Sequence, residues 1–132
     1  MSERDLIGYG ATPPRICWPN DARIAISLVV NDEEVSENLL QDGIGKREVA
    51  GESLSPVPLD RRDLANESFF EYGSRAVVWR LFRIFKKHQV RCTFFACAVA
   101  LERNPAVGPA ITAEGHDILA HGNRCPRLQR TA

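Results

Sequence analysis

Arg23-Ile24-Ala25-Ile26-Ser27-Leu28-Val29-Val30-Asn31-Asp32-Glu33-Glu34 is an apolar run that stops abruptly in carboxylates. Over 23–30 the apolar residues are nearly continuous instead of alternating, which predicts a strand buried on both faces. The carboxyl ends of parallel strands are where ligands and catalytic groups collect in α/β folds. Asp117-Ile118-Leu119-Ala120 repeats the arrangement and runs into His121-Gly122-Asn123-Arg124. Acid after the first strand and histidine after a later one form the skeleton of a hydrolase site.

Outward from that strand, residues 1–20 carry Gly8, Gly10, Pro13, Pro14 and Pro19 and read as an irregular lead-in. From Asp32 to Asn66 the pattern dissolves into Gly, Pro, Ser and charge. A stretch of that length without periodicity reads either as a functional loop or as disorder. Ser74 is then placed as a helix N-cap, with Val77, Val78, Leu81, Phe82 and Phe85 on one face and His88 at the helix end. Cys92–Ala98 reads as a second buried strand. Asn104 and Pro105 open a further helix that Gly115 closes, with Pro109 expected to bend or fray it. Residues 117–120 form the third strand, with His116 expected at the surface of the preceding turn. Strands separated by helices imply an α/β fold with parallel pairing.

A chain of 132 residues with 44% apolar and 26% charged residues has room for one domain with a modest core. Seventeen basic residues balance seventeen acidic ones, so no global field draws the protein to nucleic acid or membrane. No apolar run reaches the ~18 residues of a membrane span. Met1-Ser2-Glu3-Arg4-Asp5 has no apolar signal region, and a cytoplasmic location is expected. Cys17, Cys92, Cys97 and Cys125 make no C-x-x-C pair, so reduced thiols are expected. Phosphate-loop, dinucleotide and serine-hydrolase glycine patterns are absent from the sequence.

Hydrolysis of an amide or ureide needs an activated water, stabilisation of a tetrahedral intermediate and a proton for the leaving nitrogen. Asp32, Glu33 and Glu34 supply carboxylates, of which only some can face one side of the strand end. Repulsion among them raises a pKa toward the working range if the site is partly desolvated. His121 supplies a proton donor or a metal ligand. Glu33, His121 and Cys125 are a conceivable zinc set, although Gly122 and Pro126 discourage the helical geometry it would need.

The blocks Arg4-Asp5-Leu6-Ile7-Gly8-Tyr9-Gly10, Trp18-Pro19-Asn20, Asn31-Asp32-Glu33-Glu34 and Glu71-Tyr72-Gly73-Ser74-Arg75 resemble the polysaccharide deacetylase superfamily. The allantoinase-type, ureide-hydrolysing branch is the most similar. This resemblance runs from about residue 4 to Arg124, and residues 125–132 read as a divergent tail. It implies a distorted (β/α) barrel whose site lies at the C-terminal ends of its strands. The chain would supply an incomplete barrel, the first three parallel strands with two helices, as a domain over 1–124. By the same resemblance Asn31 stands at the position of the catalytic base and Glu33 at that of a metal ligand. His121 matches the first motif histidine, and Cys125 stands where a second belongs. No cofactor is therefore expected, with a divalent metal such as zinc the alternative, held through Glu33 and His121.

The resulting expectation is a hydrolase of non-peptide carbon–nitrogen bonds acting on a small ureide or amide. Its site candidates are Glu33 and His121, with Glu34 and Asp32 behind them. A full barrel usually needs ~250 residues, so the isolated chain is expected to be inactive and to self-associate through its open sheet edge. The alternatives are a non-catalytic relic or partner-binding fragment, and a metal-dependent deacetylase of N-acetylated sugars.

Overall fold

Three short strands are hydrogen-bonded side by side in parallel in the computed structural model, which describes residues 4, 6–49 and 55–124. They are β1 (Val29–Asp32), β2 (Thr93–Ala96) and β3 (Asp117–Ala120), in the spatial order β1-β2-β3. The register pairs Asp32 with Ala96 and Ala96 with Ala120, so the three strands end level. The α/β class, parallel pairing and third strand agree with expectation, and the expected tail, 125–132, lies outside the described residues.

The first strand is shorter and less covered than its composition suggests. Val29 pairs with Thr93, and the last rung before it is the Thr93 N–H donated to Leu28 O at 2.9 Å. Residues 23–28 therefore have no partner strand in register among the described residues and are exposed. Side chains alternate across a pleated strand, and the helices cover one face alone. Val30 packs on the core, whereas Val29 on the other face is 47% exposed.

A single helical column runs from Leu64 to His88, as α1 (Leu64–Tyr72), a wider π turn (Gly73–Val77) and α2 (Val78–His88). Ser74 is thus inside the column and is not its cap. Asp63 is the cap, accepting the N–H groups of Ala65 and Asn66 at 3.1 and 3.2 Å. The early turns lack an apolar stripe because the polar Asn66 and Glu67 share the buried positions with Phe70 alone. Asn66 donates to Glu48 O at 3.0 Å, and Glu67 accepts from Gln41 and Arg62. Beyond the π turn the stripe behaves as expected, with Val78 and Phe82 buried against Phe94, Val107 and Ile111.

The second connection also breaks differently. Ala98–Arg103 forms α3 and Val107–Ala113 forms α4. Pro105 disfavours helical geometry at the residue before it, and Asn104 ends α3 at φ −127° and ψ 75° instead of opening a helix. Pro109 falls in the first turn of α4, where a backbone N–H has no helical acceptor, so it does not disrupt the helix. His116 is inside, only 7% exposed. Its Nδ1 accepts the Cys92 N–H at 3.3 Å and its ring stacks on Phe82 at 5.8 Å. The turn at Gly115 (φ +78°) carries it there, by returning the chain to the sheet.

The long connection after β1 is ordered wherever it is described. Arg47, 4% exposed, donates to the carbonyls of Arg61, Glu48 and Val57 and to Ser55 Oγ. It also lies 3.6 Å from the Asp63 carboxylate. One guanidinium thus ties the loop to the cap of the helical column. Among the described residues no helix is long and apolar enough to cross a membrane.

Removing Arg47 leaves buried carbonyls without its N–H groups and takes the ion-pair partner from the Asp63 carboxylate. Arg47→Leu is expected to lower the unfolding free energy by about 3–5 kcal/mol, and Arg47→Lys by less, because charge survives without the fork. Denaturant unfolding checks this; a loss within error for Arg47→Leu would rule the staple out.

Candidate active site

The level ends of three parallel strands place their next residues in a row: Glu33 after β1, Cys97 after β2 and His121 after β3. Two further backbone bonds extend the ladder, Cys97 N–H to Asp32 O at 3.0 Å and His121 N–H to Ala96 O at 2.9 Å. Alternation turns Asn31, Glu33, Phe95, Leu119 and His121 to the face away from the helices, where Leu119 is 53% exposed. There Glu33 Oε1 lies 3.3 Å from His121 Nε2. The imidazole lies nearly parallel to the Phe95 ring, centroids 5.9 Å apart. The Cys97 thiol donates to His121 O at 3.3 Å. Glu33 and His121, nearly ninety residues apart in the chain, are brought together.

The other two candidate acids point elsewhere. Asp32 faces the helix side and is 6% exposed. Burial, with repulsion from Glu34, pushes its carboxyl up to about 6. Glu34 lies against the π turn, where a Cβ on Gly73 would come within 2.3 Å of Glu34 Cγ. Glycine at 73 is therefore what allows the carboxylate to approach the helix, and π turns of this kind recur at functional sites. Glu34 Oε2 accepts the Glu33 N–H at 3.3 Å.

A tight turn aims Glu33. Ser36, fully buried, donates its N–H and its hydroxyl to Glu33 O at 2.8 and 2.5 Å. Val35 within this turn has φ +66°, an uncommon conformation that is an outlier for a β-branched residue. Two arginines from distant elements hold the turn. Arg103 at the end of α3 donates to Val35 O and to Asp42 Oδ1. Arg124, after β3, donates to Glu37 O at 3.4 Å and to Asp42 Oδ2 at 2.9 Å. Arg103, then Arg124, holds the Asp42 carboxyl below the usual carboxylate range. A cleft of about 410 Å³ opens beside this arrangement, between Val35, Leu39 and Asp42 on the loop and Phe70, Glu71 and Ser74 on the helical column.

Glu37 was not a sequence candidate. Its Oε2 is buried and finds no hydrogen-bond donor among the described residues. Burial, with repulsion from Glu34 and Glu48, pushes its carboxyl up to about 7. Phe95, Asp42 and Arg103 were also missed, because nothing in their local sequence reports a contact made across 26 residues, as for Phe95 and His121, or 61, as for Asp42 and Arg103.

Zinc takes three protein ligands in catalytic sites and four in structural ones. Among the described residues no three of His, Cys, Asp and Glu gather as a metal cluster. Glu33 and His121 make up only part of such a donor set, and Cys125 lies outside the described residues.

The sequence model of the polysaccharide deacetylase family matches residues 67–132, continuing past Arg124, where the resemblance was expected to end. A Schizosaccharomyces pombe protein carrying the polysaccharide deacetylase name is 41% identical over 125 residues, covering 92% of this chain and 39% of that protein. The crystal structure of PuuE allantoinase superposes with a TM-score of 0.84 at 42% identity, over 100% of this chain and 44% of that one. A polysaccharide deacetylase-type structure from Pseudomonas aeruginosa PAO1 gives 0.83 at 44% identity, over 99% of this chain and 44% of that one. The chain spans about two fifths of the length of these relatives.

Asp32 and Glu37 bind their protons more tightly folded than unfolded. Between about pH 4 and 7 the folded state therefore holds the extra protons, and stability falls as pH rises. The denaturant midpoint is expected to be higher near pH 5 than near pH 8. Glu37→Gln should flatten that dependence and raise the alkaline midpoint. An unchanged slope in Glu37→Gln would remove Glu37 as a titrating group.

Proposed function

The chain belongs to the polysaccharide deacetylase family, and on that premise we propose that Glu33 and His121 form the acid–base centre of a hydrolase of non-peptide carbon–nitrogen bonds. The substrate class we propose is a small ureide of the allantoin type. The observation that carries the reading is the 3.3 Å approach of Glu33 Oε1 to His121 Nε2 at the carboxyl ends of β1 and β3. The likeness to an allantoinase structure at 42% identity supports the ureide, and the likeness to a polysaccharide deacetylase-type structure at 44% makes a sugar amide the second reading.

In this mechanism a water molecule lies against the Glu33 carboxylate, which removes its proton as the oxygen attacks the substrate carbonyl. The carbonyl carbon becomes tetrahedral and its oxygen carries the negative charge. Asn31, two residues before Glu33 on the same face, has an amide that can donate to this oxygen. An amide is not a base at neutral pH, which leaves proton removal to Glu33. The proton passes across the short Glu33–His121 gap, and the imidazole delivers it to the leaving nitrogen as the carbon–nitrogen bond breaks. The Phe95 stack orients the ring for that delivery, and the Cys97 bond holds the His121 backbone carbonyl. The reaction is proposed to run on these side chains without a cofactor.

Glu33→Gln and His121→Ala are each expected to cut turnover by at least ~10²-fold. Ammonia or ureide-product release from allantoin by a complete barrel containing this segment measures this, with an N-acetylglucosamine oligomer as the competing substrate and circular dichroism as the control for folding. Preferential release of acetate from the oligomer would replace the ureide with a sugar amide. Undiminished turnover in either variant would take that residue out of the mechanism.

A further inference from the structure

We infer that Asp42 is a positioning residue for the Glu33–His121 pair, acting through the two arginines that hold the Val35 turn. Its kinetic consequence rests on the hydrolase reading; its structural consequence does not.

The turn between Glu33 and Glu37 contains a conformation its sequence does not favour. A β-branched residue at φ +66° is costly, and such residues persist where their surroundings over-determine them. Here the constraint is visible. Arg103 grips the carbonyl of Val35 and Arg124 that of Glu37. Each guanidinium would be free to swing away if it held only one neutral acceptor. Asp42 prevents this, because its two carboxylate oxygens take one arginine each. The three side chains come from three separate places: the loop after β1, the end of α3 and the segment after β3.

That last origin matters for the site. Arg124 lies three residues beyond His121, so the clamp joins the segment carrying His121 to the turn carrying Glu33. Ser36 completes the linkage by donating twice to Glu33 O from inside the same turn. Asp42 touches neither proposed catalytic side chain, yet it fixes the two backbones that present them.

Two properties separate this from a general contribution to folding. Loss of the Asp42 charge should disturb the pair more than the core, and the damage should be reversed by relieving the turn itself. Val35→Gly does the latter, since glycine takes positive φ without a side-chain penalty.

The experiment compares wild type, Asp42→Asn, Val35→Gly and the double variant, all in the full chain. The first readout is the nuclear magnetic resonance position of the His121 ring protons, which the stacked Phe95 ring displaces; Phe95→Leu supplies the unstacked reference. Asp42→Asn should move these signals toward the Phe95→Leu position, and adding Val35→Gly should return them. The second readout is turnover of a complete barrel containing this segment, where Asp42→Asn should lower kcat by about 10²-fold with KM little changed, again restored by Val35→Gly. Signals that stay in place in Asp42→Asn, or a displacement that Val35→Gly fails to reverse, would overturn the inference. If Asp42→Asn does not fold, a folded double variant with wild-type His121 signals supports it, and an unfolded double variant overturns it. A complete barrel containing this segment that is inactive on every amide tested would count against the hydrolase reading, while the ring-proton shifts would still decide the role of Asp42.

Discussion

The parallel register Asp32–Ala96–Ala120 is the constraint from which the candidate site follows. Level strand ends bring Glu33, Cys97 and His121 into one row, and the two-residue period of the pleat decides which side chains share a face. Moving β1 by one residue would turn Glu33 toward the helices and Asp32 toward His121. The register is held on the helix side, where Val30 and Phe94 pack with Phe82, Val107 and Ile111. The apolar core and the polar site therefore occupy opposite faces of the same short strands.

Much of the remaining order is polar and buried. Arg47 holds the loop to the Asp63 cap, and Glu67 is met by Arg62 and Gln41. Such groups are tolerated inside because their hydrogen-bonding capacity is taken up. Glu37 departs from that rule, and Asp32 is a further buried carboxyl. Burial and like-charge neighbours push both toward the protonated form, and Glu37 Oε2 finds no donor among the described residues. The acidic patch around Glu34 is consequently under electrostatic tension, next to a turn that is itself conformationally costly. Both features lie within four residues of Glu33, where the proposed chemistry takes place, and local strain of this sort gathers at functional sites.

The motif blocks gain physical meaning from the fold. Glu71-Tyr72-Gly73-Ser74-Arg75 spans the start of the π turn, where Gly73 makes room for Glu34 and Ser74 is held by Asn104 through its hydroxyl and carbonyl. In His121-Gly122-Asn123-Arg124 the histidine meets Glu33 and the arginine meets Asp42. These blocks are separated along the chain but converge on the segment 33–42, so their spacing reflects the topology more than any local structure.

By itself the sequence determined the α/β class, the order of the three strands, the apolar stripe of the Val78–His88 helix and the placement of acid and histidine after β1 and β3. Each depends on short-range periodicity or on composition at a strand end, which a linear reading can see. It misplaced the start of the helical column at Ser74, because Asp63 caps turns whose buried positions are Asn66, Glu67 and a single apolar Phe70, too little to make an apolar stripe. It put His116 at the surface and overextended β1 for a related reason: burial and pairing depend on which residues stand opposite. Only the tertiary structure decided that Glu33, and not Asp32 or Glu34, meets His121, and that Asp42 gathers Arg103 and Arg124. Those contacts span 61 to 88 residues of chain, and a contact at such separation is set by register and packing, which no local pattern encodes.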